Sequence, residues 1–172
     1  RVPPARNRKL VERTGARWSL FRGSQTPECV DRSGAVRLDA PWPGGSPEGP
    51  PTRAGDDAVL VFTSGSTGEP KGAIHTAAAM CANIAAAIDA QGLDTSTRTL
   101  AVLPLFHVGG LCIQVLPTLA AGGRVRLHER FDAGAWLHDV ARWRPTTSLL
   151  VPATMRAIVA GATRRACRLV QR

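Results

Sequence analysis

The residues best suited to chemistry stand together in one short loop. Residues 63–72 read TSGSTGEPKG and carry four hydroxyl side chains, three glycines and a lysine. Glycines let the backbone approach a ligand closely, with its amides turned inward. Hydroxyls donate hydrogen bonds to phosphate oxygens, and a lysine supplies a mobile positive charge. The loop is predicted to hold a polyphosphate, because a flexible surface loop would not need Lys71 in a chain with only one other lysine.

Two better-known phosphate-binding motifs do not fit this loop. A Walker loop needs glycine directly before its lysine and Ser or Thr directly after it, where this sequence has Pro70 and Gly72. The dinucleotide fingerprint needs the spacing Gly-x-Gly-x-x-Gly, which does not occur in the chain. Both motifs are therefore excluded.

The loop instead resembles the phosphate-binding signature of the adenylate-forming superfamily, which includes acyl-CoA synthetases, luciferases and peptide-synthetase adenylation domains. All ten positions of 63–72 match, and the approach at 56–58 is similar as well. Residues 104–110, PLFHVGG, resemble a segment of acyl- and aryl-CoA ligases where amino-acid-activating domains carry Phe-Asp. Residues 131–158 resemble, more loosely, the family's stretch ending in a Val-Pro-x-x-x-Arg helix.

This resemblance implies a two-step reaction that uses ATP, Mg²⁺ and coenzyme A. A carboxylate attacks the α-phosphate of ATP to give an acyl-adenylate, and the thiol of coenzyme A then displaces AMP. The implied catalytic residues are Lys71 and His107, with His107 orienting the acid or gating its access to ATP. Thr63 is also implied to approach Mg²⁺. The residues implied to contact the nucleotide are Thr63, Ser64, Gly65, Ser66, Thr67, Gly68 and Lys71.

For these residues to act together, strands must bring the loop 63–72 and the segment 104–110 to the same edge of a sheet. Four short apolar stretches read as strands, the first two buried on both faces: 58–62, 99–103, 124–127 and 146–151. Four others read as helices: 76–91, 108–121, 132–143 and 152–158. This alternation predicts an α/β fold with a mostly parallel sheet and flanking helices. Such sheets bind ligands outside the carboxyl ends of their strands, where both candidate loops begin.

The first 52 residues are predicted to be a remnant followed by a linker. Residues 6–14 read as a short helix and 16–21 as a strand without an evident partner, whereas the Pro/Gly-rich 41–51 can sustain neither. Residues 53–172 are interpreted as a partial AMP-binding α/β domain. The family's Tyr-Gly-x-Thr-Glu segment, ribose-binding aspartate, hinge and C-terminal domain are not found. The chain is thus interpreted as part of the N-terminal domain of an adenylate-forming enzyme, inactive alone and separated from the rest of its parent chain.

Composition and charge argue against nucleic-acid binding, a membrane span and secretion. The net charge of +9 comes almost wholly from arginine, spread over both ends without interleaved aromatic residues, which argues against a nucleic-acid partner. No apolar run is long enough to span a bilayer, and the first residues do not form a secretory signal. The four cysteines have neither zinc-site nor disulfide-framework spacing, which favours free thiols and the cytoplasm.

The remaining histidines and tryptophans are predicted to be structural. The spacing of His75, His128 and His138 is not that of metal ligands, so surface or structural roles are expected. Trp136 and Trp143 lie seven positions apart on one predicted helix and are expected in the core.

Three alternative interpretations stay open. The acid could be o-succinylbenzoate or another aryl acid instead of a fatty acid. The chain could be a non-catalytic nucleotide- or polyanion-binding module that uses the same loop and its arginine-rich surface. The C-terminal sequence RRACRLVQR also permits a degenerate or wrongly assigned reading frame.

Overall fold

The computed structural model describes residues 13–14, 19–21, 35–37, 52–63 and 70–170. Side-chain environments are described for residues 13–14, 52–63 and 70–163. The chain divides into two compact units, Arg1–Pro50 and Pro51–Arg172. Division of the chain into a remnant, a linker and a partial domain stays a prediction, and the linker at 41–51 lies outside the described residues.

The first unit contains a small parallel pair of strands. Strand β1 (Ser19–Phe21) pairs with strand β2 (Ala35–Arg37). The strand predicted at 16–21 is confirmed in its second half, and β2 is a partner that the sequence analysis did not find. Of the helix predicted at 6–14, only residues 13–14 are described, and they are helical.

The second unit begins with an antiparallel hairpin. Strands β3 (Asp57–Thr63) and β4 (Lys71–Thr76) pair along their length, with Thr63 opposite Lys71. Strand β4 was not predicted from the sequence. The prediction that β3 is buried on both faces was wrong. No residue of β3 is buried: Val59, Val61 and Phe62 are half-buried and the other four are exposed, with Leu60 at 40%. A short apolar run indicates hydrophobicity but does not reveal how many faces of a strand are covered.

Helix α1 (Ala77–Gln91) follows β4 directly. The hydroxyl of Thr76 accepts a hydrogen bond from the amide of Ala79 at 3.3 Å and caps the first turn. Gly92 ends the helix in the left-handed conformation at φ 60°, which glycine adopts without a Cβ penalty. The helix predicted over 76–91 is thereby confirmed, with Thr76 as its cap.

A second small sheet forms the centre of this unit. Strand β5 (Arg98–Ala101) pairs in parallel with β6 (Arg124–Leu127), and Thr147 forms a single parallel bridge on the other edge of β5. The predicted bounds of β6 are confirmed. The strand predicted over 146–151 is reduced to that one bridge, and β5 ends two residues earlier than predicted. Residues 99–101 are fully buried, as predicted for a central strand.

Helices pack around β5. A π-helix (Gly109–Val115) continues into helix α2 (Leu116–Ala120), where one α-helix was predicted. The hydroxyls of Thr99 on β5 and Thr118 on α2 are hydrogen-bonded at 2.7 Å, joining the helix to the strand inside the core. The remaining helices are α3 (Ala133–Trp143) and α4 (Pro152–Val170), the latter much longer than predicted.

Candidate functional site

The predicted phosphate loop is closed by a strand pair at its two ends. Thr63 is the last residue of β3, Lys71 is the first of β4, and the two face each other in the hairpin. The Thr63 hydroxyl also donates a hydrogen bond to the backbone carbonyl of Lys71 at 3.3 Å. Both side chains are exposed. The other predicted contact residues lie outside the described residues: Ser64, Gly65, Ser66, Thr67 and Gly68.

His107 lies in the turn that leads from β5 into the π-helix. Its amide donates to the carbonyl of Pro104 at 3.2 Å, and its own carbonyl accepts from the amides of Gly110 and Leu111 at 3.1 and 3.2 Å. Gly110 makes this tight turn possible. A Cβ at that position would lie 2.5 Å from the oxygen of Pro104 and 2.9 Å from that of Leu103. His107 is therefore held at the helix entrance by backbone contacts, with its side chain exposed.

The structure brings the end of β3 and His107 to one cavity of about 320 Å³, hereafter the His107 cavity. Phe106 forms part of its wall although this side chain is 84% exposed. Thr63 and His107 therefore face the same space, although β3 and β5 belong to separate sheets. The complete lining is Val61, Phe62, Thr63, Phe106, His107 and Val108.

Phe106 also lines a second cavity of about 540 Å³, hereafter the His128 cavity. This cavity lies where β5 and β6 end, and it is also lined by Val151, just before α4, and by Thr154 in the first turn of α4. Most of its wall is apolar, from Val102 to Phe106 and from Leu127 and Phe131. Its polar side chains are His128, Glu129, Arg130 and Thr154. An apolar cavity with a few polar groups is typical of a ligand site.

A polar cluster borders the His128 cavity and was not found from sequence. Asp139 on α3 contacts His128 Nε2 and Arg126 Nη1, each at 2.8 Å, and His138 Nδ1 at 3.5 Å. The Arg126 guanidinium lies over the Trp143 ring, 4.8 Å from its centroid. The hydrogen bond from His128, followed by that from Arg126, holds the pKa of Asp139 below its usual value. The structural role predicted for His128 stays a prediction.

This cluster predicts an acid-dependent contribution to stability. Because the pKa of Asp139 is lowered in the folded protein, its ion pairs stabilise the fold above the ordinary carboxyl pKa of about 3.8 and are lost as pH falls through the lowered value. We expect Asp139→Asn to reduce the free energy of unfolding at pH 6 by about 1 kcal/mol. Urea unfolding should show this difference shrinking below about pH 4. Asp89→Asn, an exposed change on α1, serves as the control, and a difference that stays constant to pH 2 would contradict the assignment.

Among residues 13–14, 52–63 and 70–163, no group of three or more His, Cys, Asp or Glu side chains has the arrangement of a metal site. Thr63 is the predicted metal-contacting residue, and its hydroxyl is a hard oxygen of the kind that Mg²⁺ prefers. Mg²⁺ usually keeps several waters and binds substrate phosphates, so one hydroxyl beside a polyphosphate loop fits that ion.

The match to a known family covers nearly the whole chain. The model of the family described as AMP-binding enzyme matches residues 7–170. An indoleacetate–CoA ligase of Aromatoleum aromaticum is 43% identical over 102 residues, which make up 59% of this chain and 20% of the ligase. The chain spans about a fifth of the length of the curated relatives that it matches.

Two solved structures have the same fold, each with a TM-score of 0.76. A malonyl-CoA ligase with methylmalonyl-CoA and AMP bound is 29% identical, and the match covers 87% of this chain and 32% of that one. The o-succinylbenzoate coenzyme A synthetase of Bacillus subtilis, in complex with ATP and magnesium ion, is 23% identical. That match covers 92% of this chain and 34% of the synthetase. The α/β fold class and the resemblance to CoA ligases are confirmed, and this chain belongs to the AMP-binding enzyme family.

Proposed function

We propose that the full-length protein containing these residues is an acid–thiol ligase. It activates a carboxylic acid with ATP as an acyl-adenylate, releases pyrophosphate, and transfers the acyl group to coenzyme A with release of AMP. The observation that carries this proposal is the TSGSTGEPKG loop, whose ends are paired at Thr63 and Lys71 beside the cavity that His107 lines. The AMP, ATP and methylmalonyl-CoA bound to the two solved relatives support it.

The loop would bind the β- and γ-phosphates of ATP. Gly65 and Gly68 would let the backbone amides approach the phosphates, and Ser64, Ser66 and Thr67 would donate hydroxyl hydrogen bonds. Lys71 would offset the negative charge that develops on the departing pyrophosphate, which is the kind of electrostatic stabilisation that lowers such barriers most. The hairpin fixes the two ends of the loop relative to each other.

Thr63 has a further role at the start of the loop. Its hydroxyl would contact the phosphates directly and stand beside Mg²⁺ when that ion arrives with the nucleotide. Bound Mg²⁺ neutralises phosphate charge and makes pyrophosphate a better leaving group.

His107 would orient the acid. Its backbone is held by three hydrogen bonds at the entrance of the π-helix, so its exposed side chain begins from a fixed position on the cavity wall. An imidazole there can donate to a carboxylate oxygen and direct the other oxygen toward the α-phosphate. Gating of the acid's access to ATP by the same side chain is the alternative role.

An aromatic acid is the second candidate substrate class, beside fatty acids. The names of the Aromatoleum and Bacillus enzymes specify indoleacetate and o-succinylbenzoate, both aromatic carboxylates. The described wall of the His107 cavity is mainly apolar, with Phe62 and Phe106 available for ring contacts. These features suit an aryl acid as well as a short aliphatic one.

We place the protein in the cytoplasm, with small-molecule partners and no nucleic acid. Cys81 and Cys112 are free thiols, and burial raises the pKa of Cys112, which keeps that thiol protonated. Among the described residues, no helix has the length and hydrophobicity needed to cross a bilayer.

The test measures the two half-reactions of the full-length protein separately. Carboxylate-dependent exchange of pyrophosphate into ATP should appear with at least one of indoleacetate, o-succinylbenzoate, decanoate and methylmalonate. Coenzyme A should then release AMP and form the matching thioester. Absence of exchange with every acid would overturn the proposal. The 172-residue chain alone is expected to show little or no turnover, and sustained coenzyme A-dependent AMP release by it would contradict that expectation.

A further inference from the structure

His128 has a defined place in the wall of the His128 cavity. It follows β6 directly, and its amide donates to the carbonyl of Ala101 at 2.9 Å, which fixes its backbone beside the end of β5. Its side chain is 11% exposed. A histidine that is largely buried yet lines a cavity of about 540 Å³ is available to a ligand in that cavity and protected from bulk water.

Asp139 determines which ring nitrogen of His128 carries the proton. The Asp139 carboxylate is 14% exposed, contacts Arg126 as well, and has a lowered pKa, so it is ionised at neutral pH and only accepts hydrogen bonds. The Nε2 atom of His128, 2.8 Å from Oδ2, must therefore be the protonated nitrogen. In the neutral imidazole, Nδ1 then carries the lone pair. A base oriented by a carboxylate is the arrangement that activates nucleophiles in many enzymes.

The two cavities are neighbours through Phe106, which lines both. A nucleophile in the His128 cavity would thus reach an acyl-adenylate in the His107 cavity past Phe106. The apolar wall, with Thr154 and Arg130 among its polar groups, suits a flexible arm that ends in a thiol.

We propose that Nδ1 of His128 accepts the proton of the acceptor thiol, and that Asp139 is its positioning residue. This inference rests on the proposed ligase function. The S–H bond breaks and its proton moves to Nδ1, while the sulfur forms a bond to the acyl carbon of the acyl-adenylate. The bond between that carbon and the phosphate oxygen breaks, and AMP leaves with the electron pair. The imidazolium, stabilised by Asp139, then returns its proton to water.

Other titratable groups lie near this histidine or its carboxylate partner. Arg126 on β6 and His138 on α3 both contact Asp139, and Glu129 and Arg130 line the same cavity. An imidazolium formed at His128 would keep its Nε2 hydrogen bond to the Asp139 carboxylate.

The test uses the full-length protein and separates structure from chemistry with two variants. In His128→Gln, the side-chain amide nitrogen can take the place of Nε2 and keep the hydrogen bond to Asp139, but the Nδ1 lone pair is lost. Asp139→Asn can place its amide group against the ring and force the proton onto Nδ1, which also removes the acceptor. His138→Gln, at a 60% exposed neighbour of Asp139, is the matched control.

We expect His128→Gln to slow single-turnover thioester formation from preformed acyl-adenylate by about 100-fold. Carboxylate-dependent pyrophosphate exchange should stay within about twofold of the parent rate, and the decrease of the thiol step at acid pH should disappear. Asp139→Asn should behave in the same way, and His138→Gln should match the parent protein.

Unchanged thiol transfer in His128→Gln would overturn the inference, as would an equal loss in both half-reactions, which would indicate a structural role. Failure of the unsubstituted protein to exchange pyrophosphate would instead overturn the ligase proposal, and this inference with it. The two failures are thus distinguished by the exchange assay on the unsubstituted protein.

Discussion

Replacing Lys71 by alanine is expected to weaken ATP binding by the full-length protein by about 10- to 100-fold. A hydrogen bond between charged groups contributes about 1.5–3 kcal/mol, and about 1.4 kcal/mol corresponds to a factor of ten. The substitution should leave the hairpin intact, because Thr63 donates to the backbone carbonyl at position 71 and not to the lysine side chain. Isothermal titration with ATP in the absence of a carboxylic acid measures the loss directly.

Arg142→Ala is the control for Lys71→Ala. Arg142 is an exposed cation on α3, in the last turn of that helix, so its removal changes the net charge equally without touching the loop. ATP affinity should remain within about twofold in this variant. Equal, small effects of both variants, together with a steep fall of affinity with salt, would favour the polyanion-binding module instead.

Replacing Gly110 by alanine is expected to destabilise the second unit by about 2–3 kcal/mol. The new Cβ would meet two backbone oxygens at 2.5 and 2.9 Å, and backbone atoms cannot turn aside as the end of a flexible side chain can. The π-helix must then shift away from the turn that holds His107. Denaturant unfolding measures the loss of stability, and in the full-length protein the exchange reaction should fall as well.

Gly109→Ala gives a matched control one residue away in the same π-helix. Its Cβ would lie 3.8 and 4.0 Å from the side chains of Leu103 and Leu149, which is ordinary van der Waals contact. Because alanine favours helical backbone over glycine by about 1 kcal/mol, stability should be unchanged or slightly increased. Similar destabilisation in both variants would show that the steric explanation for Gly110 is wrong.

The bounds of a strand or helix could be predicted where residues next to it in sequence determine where it begins and ends. Strand β6 begins at Arg124 and ends at Leu127 as predicted, and Asp132 caps α3 through a 2.7 Å hydrogen bond from the amide of Ala135. Strand β4 was missed because KGAIHT is short and mixed in polarity, so its pairing with β3 depends on the hairpin and not on its own pattern. The π-helix was predicted as an ordinary helix, since apolar spacing does not distinguish the two.

The candidate site was predictable where its residues are contiguous in sequence. The phosphate loop and His107 each lie in a recognisable segment. The parallel-sheet rule does not explain why Thr63 and His107 line one cavity, because β3 pairs with β4 in an antiparallel hairpin and not with β5. The contact between His128 and Asp139 was not predictable, because it joins the end of a strand to the middle of the following helix. Nothing in the spacing of these two residues indicates which side chains of α3 face β6. Only the packed structure supplies that information.

The direct succession of β4 and α1 has a consequence for sequence length. Strand β4 begins at Lys71 and ends at Thr76, which also caps α1. No linking residue therefore separates the strand from the helix. One extra residue within β4 would reverse the strand faces beyond it, or else shift the cap and turn α1 by about 100°. Gain or loss of a single residue between Lys71 and Thr76 should therefore disrupt either the hairpin or the start of α1.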